Sequence, residues 1–465
     1  MNSRALFGTL LVISCSLVLG ALVGVGMGLK LAVGLSAVCV GLFLARMSPA
    51  LLVGFGLGWL PVAGRLSVVS LGKLPDVTVE RLGVIFICFA VSVSVAGNGF
   101  ALPRDRRLRV ALGLWLPALG VILLSALSSQ DLSNGVRQFA DVYALPTLAL
   151  VVLSAIPWSA ADVSNVSLAA LSGAVGWVGL GFVEMLTRHS IYTDTGVPFG
   201  AFDSYVRPGG PFINPAALGL VLGCLAILGL AWILGHPRGR VAPTIVLIVL
   251  VFGLVVTLTR SAWLGFAVGG LLVLGWLAPR SRFTTLSLAG LVVAAAFVVI
   301  DLVGQGTVLA RFNDEGTAFN RVAAYATAFR LSLRSPLVGL GIGAYRSLAS
   351  SSLVGLGTVA ASAGAGVLAP HNSVLLVAVE SGWPAALGLV LAFSLMLAFA
   401  VAKAFESRDW ISVGTVGVLA CYAVNSMLFD AQLQVHSSVI LALLIGTLIG
   451  HLSHRAVLEP AEVRT

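Results

Sequence analysis

"INPAALGLVLGCLAILGLAWIL", residues 213–234, carries no charged side chain at all, and the basic cluster "HPRGR" (236–240) follows directly. At 1.5 Å of rise per residue a helix of this length reaches about 33 Å, enough for the roughly 30 Å hydrocarbon core of a bilayer. Within hydrocarbon only a helix or a closed barrel satisfies every peptide N–H and C=O, and an unbroken apolar run without alternation selects the helix. Asn214 and Pro215 suit the first turn, where a side chain can cap exposed N–H groups and proline loses nothing. One membrane-spanning helix follows from this stretch alone.

The rest of the chain has the same character. Of 465 residues, 58% are hydrophobic and 10% are charged, against about 25% charged in a soluble domain. Mean hydropathy is +1.05. Such a chain cannot cover a globule with polar groups, so its solvent is lipid; a bilayer partner is expected and a nucleic-acid partner is not. The 53 glycines fit, because small residues let membrane helices approach closely. Cys15, Cys39, Cys88, Cys224 and Cys421 are scattered through apolar runs and form no metal or disulfide pattern.

Apolar segments of spanning or near-spanning length fall near 6–28, 30–46, 49–64, 82–100, 108–127, 139–156, 167–186, 213–234, 241–258, 261–278, 284–303, 384–404, 411–428 and 436–452. The expected fold is an all-α polytopic membrane helix bundle of about twelve to fourteen spans. The first run is longer than a signal-peptide core and reads as an uncleaved span. The stretch "PRDRRLR" (103–109) marks a cytoplasmic connection. Alternating outward from it puts Arg4, Arg46, "HPRGR", "PRSR" (279–282), Lys403, Arg408 and both termini inside. The chain divides into N-terminal helices (1–212), core helices (213–303), a long extracytoplasmic loop (304–383), and C-terminal helices with a tail (384–465).

That long loop holds Arg311, Arg321, Arg330, Arg334 and Arg346. A connector of this length in a compact protein usually has a function. "FNRVAAYATAFRLSLRSP" (319–336) predicts an amphipathic helix at the membrane–water interface, capped by Asn320 and ended by Pro336. Its apolar stripe is Val322, Ala323, Ala326, Phe329 and Leu333, with Arg330 and Arg334 together on one face. The glycine-rich "LVGLGIGAY" (337–345) lacks a phosphate-loop lysine and is weak evidence for phosphate binding. The small, flexible stretch 347–370 is a lid or a slack linker.

Two more arginines sit at outer span ends. In "TLTRSAWLGF" (257–266), Arg260 interrupts two apolar spans with almost no loop, a place for a charge that faces a cavity or snorkels to the interface. In "YVRPGGPFINPAALGLVLG" (205–223), Arg207 precedes a sharp turn; either it joins the helix N-terminus in holding an anion or the turn is merely rigid. Finally "APHNSVLL" (369–376) places His371 and Asn372 between Pro370 and an apolar run, as interface residues or as a chemical centre.

Taken in order, "RPGGPFINPAALG", "TLTRSAWLG", "NRVAAYATAFRLSLRSPLVGLGIGAY" and "PHNSVLLVAVESGWPAALG" resemble the O-antigen ligase and O-antigen polymerase family of integral-membrane glycosyltransferases. The resemblance covers roughly 205–390. It implies a GT-C-like fold and transfer of a glycan from a polyprenyl-pyrophosphate donor to a glycan, lipid or protein hydroxyl, with no metal and no cofactor. It aligns Arg260, Arg321 and His371 with the family's two arginines and its histidine, and matches Arg207 with Asn214 to its first outer motif.

Residue chemistry fits. Asp194, Asp203, Asp301, Asp314 and Glu315 have no metal-cluster spacing, whereas arginines can neutralise a pyrophosphate leaving group through charge-assisted bonds. Imidazole suits the base or acceptor-positioning role. The expected site is therefore Arg207, Arg260 and Arg321 on pyrophosphate with His371 as base or acceptor positioner, and Asn214, Arg330, Arg334, Tyr345 and Asn372 as secondary contributors. Asn372 fixes His371 or caps the next helix; Glu380 reads as structural. A transporter or lipid-linked glycan flippase is the rival reading, and a non-catalytic envelope scaffold a third.

Overall fold

The structure is a computed structural model that describes residues 48–63, 67–69, 77–95, 105–193, 196–198, 200–201, 206–236, 240–278, 315–352, 369–429 and 435–458. The expected spans at 6–28, 30–46 and 284–303, and most of the stretch 347–370, lie outside the described residues. Every expected interval between 49 and 278 and between 384 and 452 coincides with a helix. They are α1 (Pro49–Ala63), α2 (Val79–Val95), α3 (Arg106–Leu127), α4 (Leu132–Gln138), α5 (Leu145–Ser154), α6 (Ala160–Thr187), α7 (Pro215–Gly235), α8 (Val241–Val256) and α9 (Arg260–Leu277). The loop segment adds α10 (Glu315–Ser332), α11 (Ala344–Ser352) and α12 (Ser373–Ser381), and the chain closes with α13 (Trp383–Ser407), α14 (Trp410–Leu428) and α15 (Val435–Leu458). A π-helical turn, Phe139–Ala144, joins α4 to α5. Among the described residues eight helical segments are long and apolar enough to cross a membrane, and α1 and α8 are apolar but shorter. Among the described residues, strand is confined to two antiparallel pairs, Ser67–Val69 with Val77–Thr78 and Gly200–Ala201 with Val206–Arg207. The protein is an all-α polytopic membrane bundle.

Helix starts follow local chemistry. Asp105 accepts from the Arg107 N–H at the head of α3, Ser159 and Asp162 form a reciprocal capping box on α6, and Asn214 accepts from the Ala216 N–H at α7. Nearly the whole surface of α7 is buried, against α8, α9 and α14, so the run that announced a spanning helix is the central one. Close contacts between neighbours rest on glycine. A Cβ on Gly173 would lie 2.7 Å from the Gly58 Cα, and one on Gly269 would lie 2.5 Å from the Gly417 carbonyl oxygen. Phe89, Leu124, Leu186, Leu271 and Phe405 point outward, as lipid-facing side chains do.

The helix ends sort into two groups. The ends expected outside meet one another: Arg81 bonds Asp141, Ser129 donates to the Ile342 carbonyl, and Asn372 donates to the Met427 carbonyl. The ends expected inside do likewise, through Arg455 with Asp409 and His451 with the Trp158 carbonyl.

Asp409 caps α14 by accepting from the Ile411 and Ser412 N–H groups. Burial alone would raise its carboxyl, but bonds from Ser407 and Ser412 and the Arg455 guanidinium outweigh it and lower the pKa to about 2. A depressed carboxyl contributes stability that is complete above its unfolded value of 3.8 and fades as pH falls toward 2. Asp409→Ala is expected to cost about 1 kcal/mol of stability at neutral pH by loss of the cap, with Asn recovering part of it. Thermal unfolding in detergent across pH checks this; an unchanged melting point in the Ala variant would refute it.

Candidate functional site

Arg207 and Arg260 meet at the break between α8 and α9. Leu258 adopts φ +48°, turning the chain, and Thr259 precedes the first helical residue, Arg260. Arg207 reaches into this break from the preceding turn: its Nε donates to the Thr257 carbonyl at 2.9 Å and its Nη2 to the Thr259 hydroxyl at 3.1 Å. The Nη2 of Arg260 is buried and finds no hydrogen-bond partner among the described residues. A guanidinium N–H withdrawn from water without an acceptor is costly, so this group has the character of a vacant donor.

His371 stands at the head of α12 with φ +49°, a left-handed conformation few non-glycine residues adopt. Such outliers persist where the surroundings over-determine them, and here they do. Asn372 accepts from the Leu375 N–H and so caps α12, and its Nδ2 donates to the Met427 carbonyl at 3.1 Å. Ser373 donates to the Phe429 carbonyl. The Tyr325 hydroxyl on α10 lies 3.3 Å from both the His371 and Met427 carbonyl oxygens. Arg321 is one turn before Tyr325 on the same face of α10.

The two halves converge on the end of α14. Gly265 of α9 faces Cys421 and Asn425, so Arg260, about 7 Å back along α9, stands at the level of the α14 terminus where Asn372 and Ser373 dock. An apolar cavity of 280 Å³ opens beside the junction of α12 with α14, and Arg207, Arg260, Arg321 and His371 are not among its lining residues. It runs from Ser373 and Met427 past Trp115, Phe393 and Tyr422 to Ile445, between α3, α5, α12, α13, α14 and α15.

The remaining expected residues take other places. α10 begins at Glu315, so Asn320 lies inside the helix and not at its cap, and the helix ends at Ser332 because the chain tightens ahead of Ser335–Pro336. Its inner face is Ala324, Thr327, Ala328 and Leu331; Val322, Phe329 and Leu333 face outward with Arg330 and Arg334. Ala323 alone of the expected stripe is well buried. Tyr345 is 1% exposed in a core with Leu331 and Leu376, its hydroxyl donating to the Ala324 carbonyl. The glycine-rich turn is a clasp: Leu340 and Gly341 N–H groups donate to the Val379 and Glu380 carbonyls, and the Glu380 carboxylate accepts from Gly343 N–H. A Cβ on Gly339, at φ +74°, would lie 2.2 Å from the Glu380 carbonyl oxygen. Glu380 thus has a place in the clasp.

Several buried charges escaped the sequence reading. Asp141 in the π turn pairs with Arg81, at 2.6 and 2.7 Å, and Glu80 lies 2.9 Å from His436. Glu184 on α6 accepts from the Gly209 and Gly210 N–H groups. The signal was present: a carboxylate inside or beside an apolar span needs a partner. Burial, reinforced by the Glu184 carboxylate, raises the nearby Tyr192 phenol.

Asn372→Ala is expected to destabilise the protein by about 1 kcal/mol through loss of the cap. Asn372→Ser should restore the cap but not the bond to Met427. Melting curves of the two variants check this, and equal melting points would refute it.

No curated protein matches the chain. Residues 244–390 match the family model for O-antigen ligase (Wzy_C), a segment that includes Arg260, Arg321, His371 and Asn372 and stops short of Arg207 and Asn214. The resemblance carried by the loop motifs thus has support from the family model: across 244–390 this membrane protein is similar to the O-antigen ligase family.

Proposed function

We propose that the protein is a membrane glycosyltransferase that moves a glycan from a polyprenyl-pyrophosphate carrier to a hydroxyl acceptor at the outer face of the cytoplasmic membrane, as ligase or polymerase of a cell-surface polysaccharide. The observation that carries this reading is the buried, unpartnered Nη2 of Arg260 beside Arg207. Two guanidinium groups at one chain break, one with a vacant donor, suit the oxygens of a pyrophosphate. The apolar cavity beside Ser373 and Met427, next to the His371–Asn372 segment, suits an apolar part of a lipid-linked substrate.

In this mechanism the acceptor oxygen attacks the sugar carbon that bears the pyrophosphate. The carbon–oxygen bond to the leaving group breaks, and polyprenyl pyrophosphate departs with the electron pair. Arg207, Arg260 and Arg321 hold the charge that develops on it. The His371 imidazole takes the proton from the acceptor hydroxyl. Its fixed backbone supplies the orientation such a base requires.

His371→Asn is the sharper test of the base, because asparagine tolerates positive φ and leaves the backbone in place. Transfer is expected to fall about 10²- to 10⁴-fold with unchanged insertion and melting; full activity would remove His371 from the mechanism. Arg260→Gln is expected to lower transfer about 10²-fold and weaken donor binding. Unchanged turnover and donor affinity would take Arg260 out of the site. The glycan profile of a deletion strain separates the classes. Shortened polymer indicates a polymerase and full-length polymer stranded on its carrier a ligase, whereas unchanged glycans with altered solute flux indicate a transporter.

A further inference from the structure

Glu184 sits near the end of α6, 4% exposed, in a span otherwise lined by apolar and small residues. Its Oε2 accepts from two successive backbone amides, Gly209 at 2.8 Å and Gly210 at 2.7 Å. Those amides belong to the turn that carries Arg207. The turn is tightly shaped: Gly210 has φ +50° and Ile213 φ +65°, and a Cβ on Gly209 would lie 2.0 Å from the Ile213 carbonyl oxygen. The turn packs on α6 as well, with Phe212 edge-on to Trp177 at 5.2 Å and Pro208 over Gly181.

A buried carboxylate is an expensive way to hold two amides, since its desolvation must be offset by those bonds. A neutral helix contact would fix the turn at lower cost. What the carboxylate adds is direction. Two adjacent N–H groups aimed at one oxygen leave the turn a single orientation, and from it Arg207 extends to Thr257 and Thr259 at the start of α9. The chain of contacts therefore runs from α6 through the glycine turn to Arg207, and from Arg207 to the break that begins with Arg260.

We infer that Glu184 is a positioning residue of the anion site: it clamps the Gly209–Gly210 turn so that Arg207 is presented, with Arg260, to the pyrophosphate of the donor. This inference rests on the donor reading above. Glu184 touches no reacting atom in it and acts only through Arg207.

The test is a double-mutant cycle on purified full-length protein, read as the affinity for farnesyl pyrophosphate, alongside amide exchange over residues 206–214. Arg207→Ala is expected to weaken binding about tenfold, by loss of one charge-assisted contact. Glu184→Ala should weaken it to a similar degree and speed exchange at Gly209 and Gly210. The double variant should bind no worse than Arg207→Ala alone, because both changes remove one contact. Glu184→Gln keeps a carbonyl acceptor and should restore slow exchange and most of the affinity. Should Glu184→Ala fold poorly, Thr259→Val removes one of the two bonds that hold Arg207 from the other side and is expected to give part of the same weakening. Fast exchange in Glu184→Ala with unchanged affinity, or additive losses in the double variant, would overturn the positioning role. A wild-type protein that does not bind farnesyl pyrophosphate would overturn the donor reading itself, with the exchange result still reporting whether the clamp exists.

Discussion

Hydrocarbon offers no hydrogen bonds, so every donor and acceptor that a membrane helix surrenders must be answered by another part of the chain. The architecture depends on this constraint at each place where a helix stops. α6 ends at a carboxylate that collects two glycine amides, and α12 ends beneath a glycine turn that donates to its last carbonyls. The break between α8 and α9 is answered by an arginine from 50 residues upstream. These connections make the irregular segments as fixed as the helices they join. Among the buried polar atoms of the described residues that find no such answer is the Arg260 Nη2, beside a break whose other groups are bonded by Arg207.

Placement of charge, more than its amount, distinguishes the two ends of the bundle. At one end Asp409 and Arg455 satisfy each other, and His236 lies between the rings of Trp232 and Trp410. The other end holds the paired sets Arg81–Asp141 and Glu80–His436, and beyond them the arginines of the α8–α9 break and of α10. The pairs support structure. Arginines at the α8–α9 break and on α10 give that end a positive field, and an apolar cavity opens at the same end between α12, α13, α14 and α15.

Much of this was legible in the chain itself. Spans followed from length and apolarity, and their ends from caps such as Asn214, whose side chain had an N–H to reach in the first turn. His371 and Asn372 were readable because proline, histidine and asparagine together interrupt an apolar run. The carboxylates were not, for a physical reason. Glu184 and Asp141 reveal a role only through partners 25 and 60 residues away, and periodicity is blind to such distances. The stripe on α10 was found but its direction was not fully fixed. A helix with small residues on one side and large apolar ones on the other can bury either, and here the small side packs against α12 while the large side faces out.

α12 is only nine residues long, yet it is tied at its start to Met427 and Phe429 and at its finish to the 339–343 clasp. In mechanical terms it is a short beam fixed at both supports. A beam of that kind resists tilting and sliding, so the backbone that carries His371 is a fixed reference point. Under the proposed transfer, adaptation to sugars of different size would fall to the incoming chains, pivoting about the carrier phosphate while α12 keeps its place. A rigid point facing a swivelling substrate favours tolerance of what lies several sugars away over discrimination of it.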